Sequence, residues 1–238
     1  MRWTLAALLG SALVAHQALA DLTFSVKATR KGVPVPKSEI KLEPFEFGRS
    51  RLGHATQVEN SNRRLRRANP TANSANWCGS VNTTPSTNQI KVIHGTFQHP
   101  TCTKRTGVTT YPQAAANWVG IDGDSWTSAL LQAGTVCKIN NSTGIAKTIS
   151  NLNQGHTYTI NISSGPTLAR VNADWVVERP YYGSSLAAFP SFTDVWFDEA
   201  WATLNSGSLG ILGAKQYQIP GLCASQEWDN SHEVSWSL

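Results

Sequence analysis

After Arg67 the sequence carries no convincing helical period. Apolar residues return at every second position in short runs, and Gly, Pro, Asn and Ser separate the runs. That alternation marks half-buried strands and leaves the chain little but antiparallel β structure. In HTYTINIS, Tyr158, Ile160 and Ile162 share one side of a strand while Thr157, Thr159 and Asn161 share the other. EVSWSL repeats the pattern with Val234, Trp236 and Leu238, and QIKVIHGTF and SFTDVWFDEAWATL also read as strands. With no βαβ alternation, the expected fold class is all-β, an antiparallel β-sandwich. Eight of the nine Trp follow Arg67 and supply large apolar area, most of it for the core.

The N-terminal third reads differently. Residues 1–20 hold Arg2, an apolar run from Leu5 to Ala15 and Ala18-Leu19-Ala20, the pattern of a secretory signal with a small-x-small cleavage site. No later apolar stretch approaches the roughly 18 residues of a membrane helix. The protein is therefore expected to be secreted, soluble and without a membrane partner. Asn62-Arg63-Arg64-Leu65-Arg66-Arg67-Ala68 offers two dibasic pairs for proprotein cleavage after Arg67. Residues 21–67 carry 11 Lys/Arg against 5 Asp/Glu, a net +6, whereas residues 68–238 carry 8 against 10, a net −2. The pI of about 9.1 thus describes a basic propeptide joined to a slightly acidic domain. A nucleic-acid partner is not expected of that domain, because phosphate binding needs clustered Lys and Arg. The simpler expectation is that 21–67 lies on an acidic surface of its own domain and acts as its inhibitor.

Residues 68–238 suffice for one core. Their four cysteines, Cys78, Cys102, Cys137 and Cys223, predict two disulfides in one of three pairings. None has zinc spacing, so neither a metal nor another cofactor is expected. Asn82, Asn141 and Asn161 open possible glycosylation triplets, each of which requires a surface position.

Two segments point to chemistry. In LLQAG, Gln132 follows Ala129, Leu130 and Leu131 directly, and a bulky amide there must find hydrogen-bond partners or face a cleft. In NADWVVERP, Ala173, Trp175 and Val177 share one face, and Asp174, Val176 and Glu178 share the other. Asp174 and Glu178 then stand roughly 13 Å apart, too far for a shared-proton dyad. Glu178 precedes Arg179-Pro180, where the strand should end. A carboxylate at a strand end beside apolar neighbours is a candidate for a raised pKa. The plainer alternative is a rim ion pair with Arg179 or Arg170.

SANWCGSV, NWVGIDGDSWTSALLQAG and NADWVVERP, in that order behind a basic propeptide, resemble the glutamic peptidase family, the eqolisins, which are secreted acid peptidases of filamentous fungi. The resemblance covers most of residues 74–205. It implies a lectin-like (concanavalin-like) jelly-roll sandwich, an endopeptidase acting on protein or peptide substrates as a monomer, and a Gln/Glu catalytic pair. Carried over by motif, the pair is Gln132 and Glu178, with Trp118 and Asp122 as substrate-binding support. Glu178 would take a proton from water and return it to the leaving amine. The amide of Gln132 would hold that water and donate to the oxyanion. The family's longer interval is cut here to the 46 positions from Gln132 to Glu178, so the sandwich is expected to lack one or two strands. A diverged member and a skipped exon would both give such an interval.

Two rival readings remain: a catalytically inactive relative, and a lectin-like carbohydrate-binding module with Trp118, Trp126 and Trp175 stacking on sugar. A glycoside hydrolase would need two facing carboxylates, and the residue facing Glu178 by motif is an amide.

Overall fold

The computed structural model describes residues 23–40, 56–57, 70–123, 131–139, 146–148, 156–164, 167–228 and 231–236. The signal segment, the dibasic cluster, Asp124, Trp126 and Asn141 lie outside them. The chain opens with β1 (Thr23–Arg30) and β2 (Val33–Pro34), makes a 3-10 turn at Lys37–Glu39, and adds β3 (Thr56–Gln57). Then come β4 (Thr71–Asn73), β5 (Trp77–Thr83), β6 (Ile90–Phe97), β7 (Cys102–Thr103) and β8 (Gln113–Ile121). β9 (Leu131–Ile139), β10 (Ala146–Thr148), β11 (His156–Ser164) and β12 (Asn172–Glu178) follow. The short β13 (Tyr181–Tyr182), β14 (Ser185–Leu186) and β15 (Ser191–Phe192) lead to β16 (Val195–Leu204). β17 (Ser208–Gly210), β18 (Lys215–Gln218), β19 (Cys223–Trp228) and β20 (Ser231–Trp236) end the described chain, which contains no α-helix.

Two sheets form the sandwich expected from the alternation. The larger runs β10-β9-β8-β12-β5-β18-β4-β3, and the smaller runs β17-β16-β20-β19 with β6 also paired to β16. Every described pair in the large sheet is antiparallel except β18 with β4. Alternation along β12 divides its side chains as the sequence predicts. Ala173, Trp175 and Val177 enter the main core with Ile121, Phe189, Phe197 and Ala202. Val176 enters a second apolar cluster on the opposite face, with Trp77, Trp118, Val136 and Tyr217. Every residue of β12 is buried, so both faces of this central strand are covered.

The disulfides pair Cys78 with Cys223 and Cys102 with Cys137, one of the three arrangements left open by the sequence. The first joins β5 of the large sheet to β19 of the small one. Asn82 does not offer the surface position that glycosylation requires. It lies in β5, half-buried, and its Nδ2 donates to the Gly210 carbonyl at 2.7 Å. SFTDVWFDEAWATL is broken in the middle: β15 pairs with β7, and β16 starts anew at Val195. β11 stands apart from both main sheets, in a three-stranded sheet with β1 and β2.

Candidate active site

The second face of the large sheet carries the polar residues singled out in the sequence. Three adjacent strands set their positions. Gln132 of β9 lies opposite Gly120 of β8, and Gly120 lies opposite Asp174 of β12. Residues in register across antiparallel strands point to the same face, so Gln132 and Asp174 face each other with a glycine between them. Two strand spacings separate their Cα atoms by roughly 10 Å, and the residue between them on β8 contributes no side chain.

Glu178 lies on the same face four residues further along, opposite Ala116 and Trp77. By ladder geometry its Cα is roughly 16 Å from that of Gln132. The structure therefore brings Gln132 to Asp174, and it brings Glu178 to Trp118. The Trp118 indole Nε1 donates to Glu178 Oε2 at 2.7 Å. Glu178 is only 1% exposed, inside the fold rather than at its rim. Of the rim cations considered as its partners, Arg179 donates Nε–H to the Ala187 carbonyl and Arg170 donates to Gln89 Oε1.

Asp174 is fully buried, and its orientation is fixed by the Gly123 N–H, which donates to Oδ2 at 2.7 Å. Gln132 is half-buried, and its Oε1 is buried with no hydrogen-bond partner among the described residues. Among the described residues this oxygen is thus not spent on neighbouring backbone. Trp77, Trp118 and Tyr217 line the face between the two acid positions, with Trp77 edge-on to Trp118 at 5.1 Å between ring centres.

Trp118 and Asp122 are both fully buried in the uncut chain. Asp122 Oδ2 accepts from Arg170 N at 2.6 Å, and Oδ1 accepts from Val171 N at 2.8 Å and Asn172 N at 3.2 Å. This carboxylate pins the entry of β12 to the end of β8 and so fixes the register on which the site depends. Trp175 cannot stack on a saccharide, since it packs in the main core and its Nε1 donates to the His94 carbonyl at 2.9 Å. Sequence reasoning passed over Asp174 and Gly123. The available signal was that Asp174 shares a face with Glu178, but only the ladder shows which acid meets the amide.

A model of the Peptidase A4 family matches residues 75–147 and 137–237. Aspergillopepsin-2 of Aspergillus niger is 30% identical over 148 residues, 44% of this chain and 51% of that protein. The chain thus spans about half the length of this curated relative. Two crystal structures of scytalido-glutamic peptidase, one with a transition-state analogue inhibitor and one with a peptide-based analogue, superpose with a TM-score of 0.51 at 20% identity. Each superposition covers 68% of this chain and 98% of the other. The fold is a β-sandwich of the glutamic peptidase type. The chain belongs to the Peptidase A4 family.

Proposed function

We propose that the chain is a secreted acid endopeptidase whose reacting water lies between Gln132 and Asp174. The observation that carries this reading is the Gln132–Gly120–Asp174 register, which sets both polar side chains on one face with a glycine at the position between them. The Asp174 carboxylate accepts a proton from water as it attacks the peptide carbonyl, and returns it to the leaving amine. Gln132 accepts from that water through Oε1 and donates Nε2–H to the developing oxyanion. An amide keeps this capacity in acid, where an imidazole would be protonated. Glu178, the acid assigned by motif, holds the Trp118 indole and acts as a positioning residue.

Asp174 and Glu178 are 0% and 1% exposed, so this face must open before a peptide can enter. In this reading the uncut chain is a precursor inhibited by its own 21–67 segment, and cleavage at 63–67 lets that segment shift off the face without leaving β11.

The test is hydrolysis of an unfolded protein substrate in acid by chain cut at 63–67. Gln132→Ala should lower kcat about 10²–10³-fold, the usual worth of an oxyanion donor. Asp174→Asn should abolish turnover in a folded protein, and Glu178→Gln should reduce it modestly. Loss in Glu178→Gln with Asp174→Asn still active would return the acid to Glu178. A folded, correctly cut and inactive parent protein would establish an inactive relative.

A further inference from the structure

β11 is nine residues long, and the strand paired with it among the described residues comes from the N-terminal segment. β1 runs antiparallel to it over eight residue pairs, from Thr23 with Ser164 to Arg30 with His156. The two sequences match position by position. Phe24, Val26 and Ala28 stand opposite Ile162, Ile160 and Tyr158, while Ser25, Lys27 and Thr29 stand opposite Asn161, Thr159 and Thr157. Slipping the ladder by one residue would set each apolar residue against a polar one, so the register is specified by the sequence itself. The far edge of β1 is paired at its C-terminal end as well. Lys31 and Gly32 have φ of 49° and 81°, the positive pair of a tight hairpin turn, and β2 folds back onto Thr29 and Arg30. A second graft occurs at the rim of the large sheet, where β3 pairs with β4.

A segment merely drawn by its charge to an acidic surface need not form an eight-pair ladder. An isolated strand, in turn, is not stable in water, and even a single hairpin is marginal. Among the described residues, β1 is the strand that supports β11. Among the described residues of the Gln132–Glu178 interval no strand pairs with β11, and the two family-matched stretches overlap there, at 137–147.

We propose that residues 23–34 are a permanent structural strand pair of this protein, taking the place of strand lost from the 132–178 interval, and that they stay bound to β11 after the chain is cut at 63–67. The inference concerns association alone and does not depend on which acid reacts at Asp174 or Glu178, or on whether any does.

The test uses the full chain with a site-specific protease sequence in place of residues 62–67. After complete cutting, gel filtration is run at low salt, at high salt and in acid near the carboxylate pKa of about 4. The N-terminal fragment should travel with 68–238 in all three, and backbone amides of 157–163 should keep the hydrogen-exchange protection of the uncut chain. Release in high salt or acid would reduce the contact to charge docking, and release under all conditions from a still-folded domain would end the proposal. Val26→Pro and Lys27→Pro are adjacent, so one of them removes an N–H directed at β11. That variant should release the fragment after cutting and speed exchange at 157–163 about tenfold, as expected for one lost ladder bond. If neither variant loosens the fragment, the strand pairing is refuted. If both fail to fold uncut, the exchange data on the parent protein decide.

Discussion

His99 shows how one side chain can set the acid tolerance of this fold. Its Nδ1 meets Thr135 Oγ1 at 2.8 Å, and its Nε2 is buried with no hydrogen-bond partner among the described residues. Burial lowers its pKa from the usual 6.5. The unfolded chain, with the higher pKa, then takes up this proton first as pH falls. The stability that neutral His99 provides is complete above about pH 6.5 and declines as pH drops towards its folded value. Protonation would make both ring nitrogens donors, and Nε2 has no acceptor among the described residues. His99→Asn keeps a donor near the Nδ1 position and removes the titration. Its thermal midpoint should fall less than the parent's between about pH 6.5 and 5. Parallel falls in the two proteins would show that other groups carry the acid sensitivity.

At the level of strands, the site depends on how β9 lies against β8. Gly134 stands opposite Trp118, and a Cβ there would meet the Asn117 carbonyl and the Trp118 Cβ, the latter at 2.6 Å. Backbone cannot rotate away as a flexible side chain can. Gly134→Ala should therefore push β9 outward and cost about 1–3 kcal/mol, the usual range for overpacking. Because Gln132 is two residues away on the same face, turnover should fall beyond what the lost stability explains. Full activity with unchanged denaturant unfolding would show that the strands can separate freely. This dependence also shows what the sequence could reveal. Alternation in NADWVVERP correctly divided Trp175 from Asp174 and ended the strand at Glu178, because period and proline are local properties. The motif pairs Gln132 with Glu178, whereas the ladder aligns it with Asp174 through Gly120. That alignment is non-local, set by glycines on β8 and β9 and by Asp122 anchoring residues 170–172. The burial of Trp118 and Trp175 was equally hidden, since a Trp in a strand looks the same beneath a second layer as in an open cleft.

For the molecule as a whole, the two sheets are held by a shared apolar core and by one covalent tie between them. All four half-cystines lie in that core, from 0% to 4% exposed, so replacing either pair with alanine deletes similar buried volume. The two bridges differ in the chain they close: 145 residues for Cys78–Cys223 and 35 for Cys102–Cys137. Cross-links restrict the unfolded chain, and the restriction grows with the logarithm of loop length. Each pair should be worth about 2–5 kcal/mol, with the longer loop ahead by roughly 1 kcal/mol. Cys78→Ala with Cys223→Ala also frees β19 from β5, whereas the second bridge joins β7 to β9 at the flank. Denaturant unfolding of the two double variants should therefore rank the Cys78–Cys223 deletion as the less stable. It should also show the steeper loss of cooperativity, because its sheets are then joined by packing and loops alone. The reverse order would mean that strain or local packing at the Cys102–Cys137 flank, and not the tie between sheets, governs how this sandwich holds together.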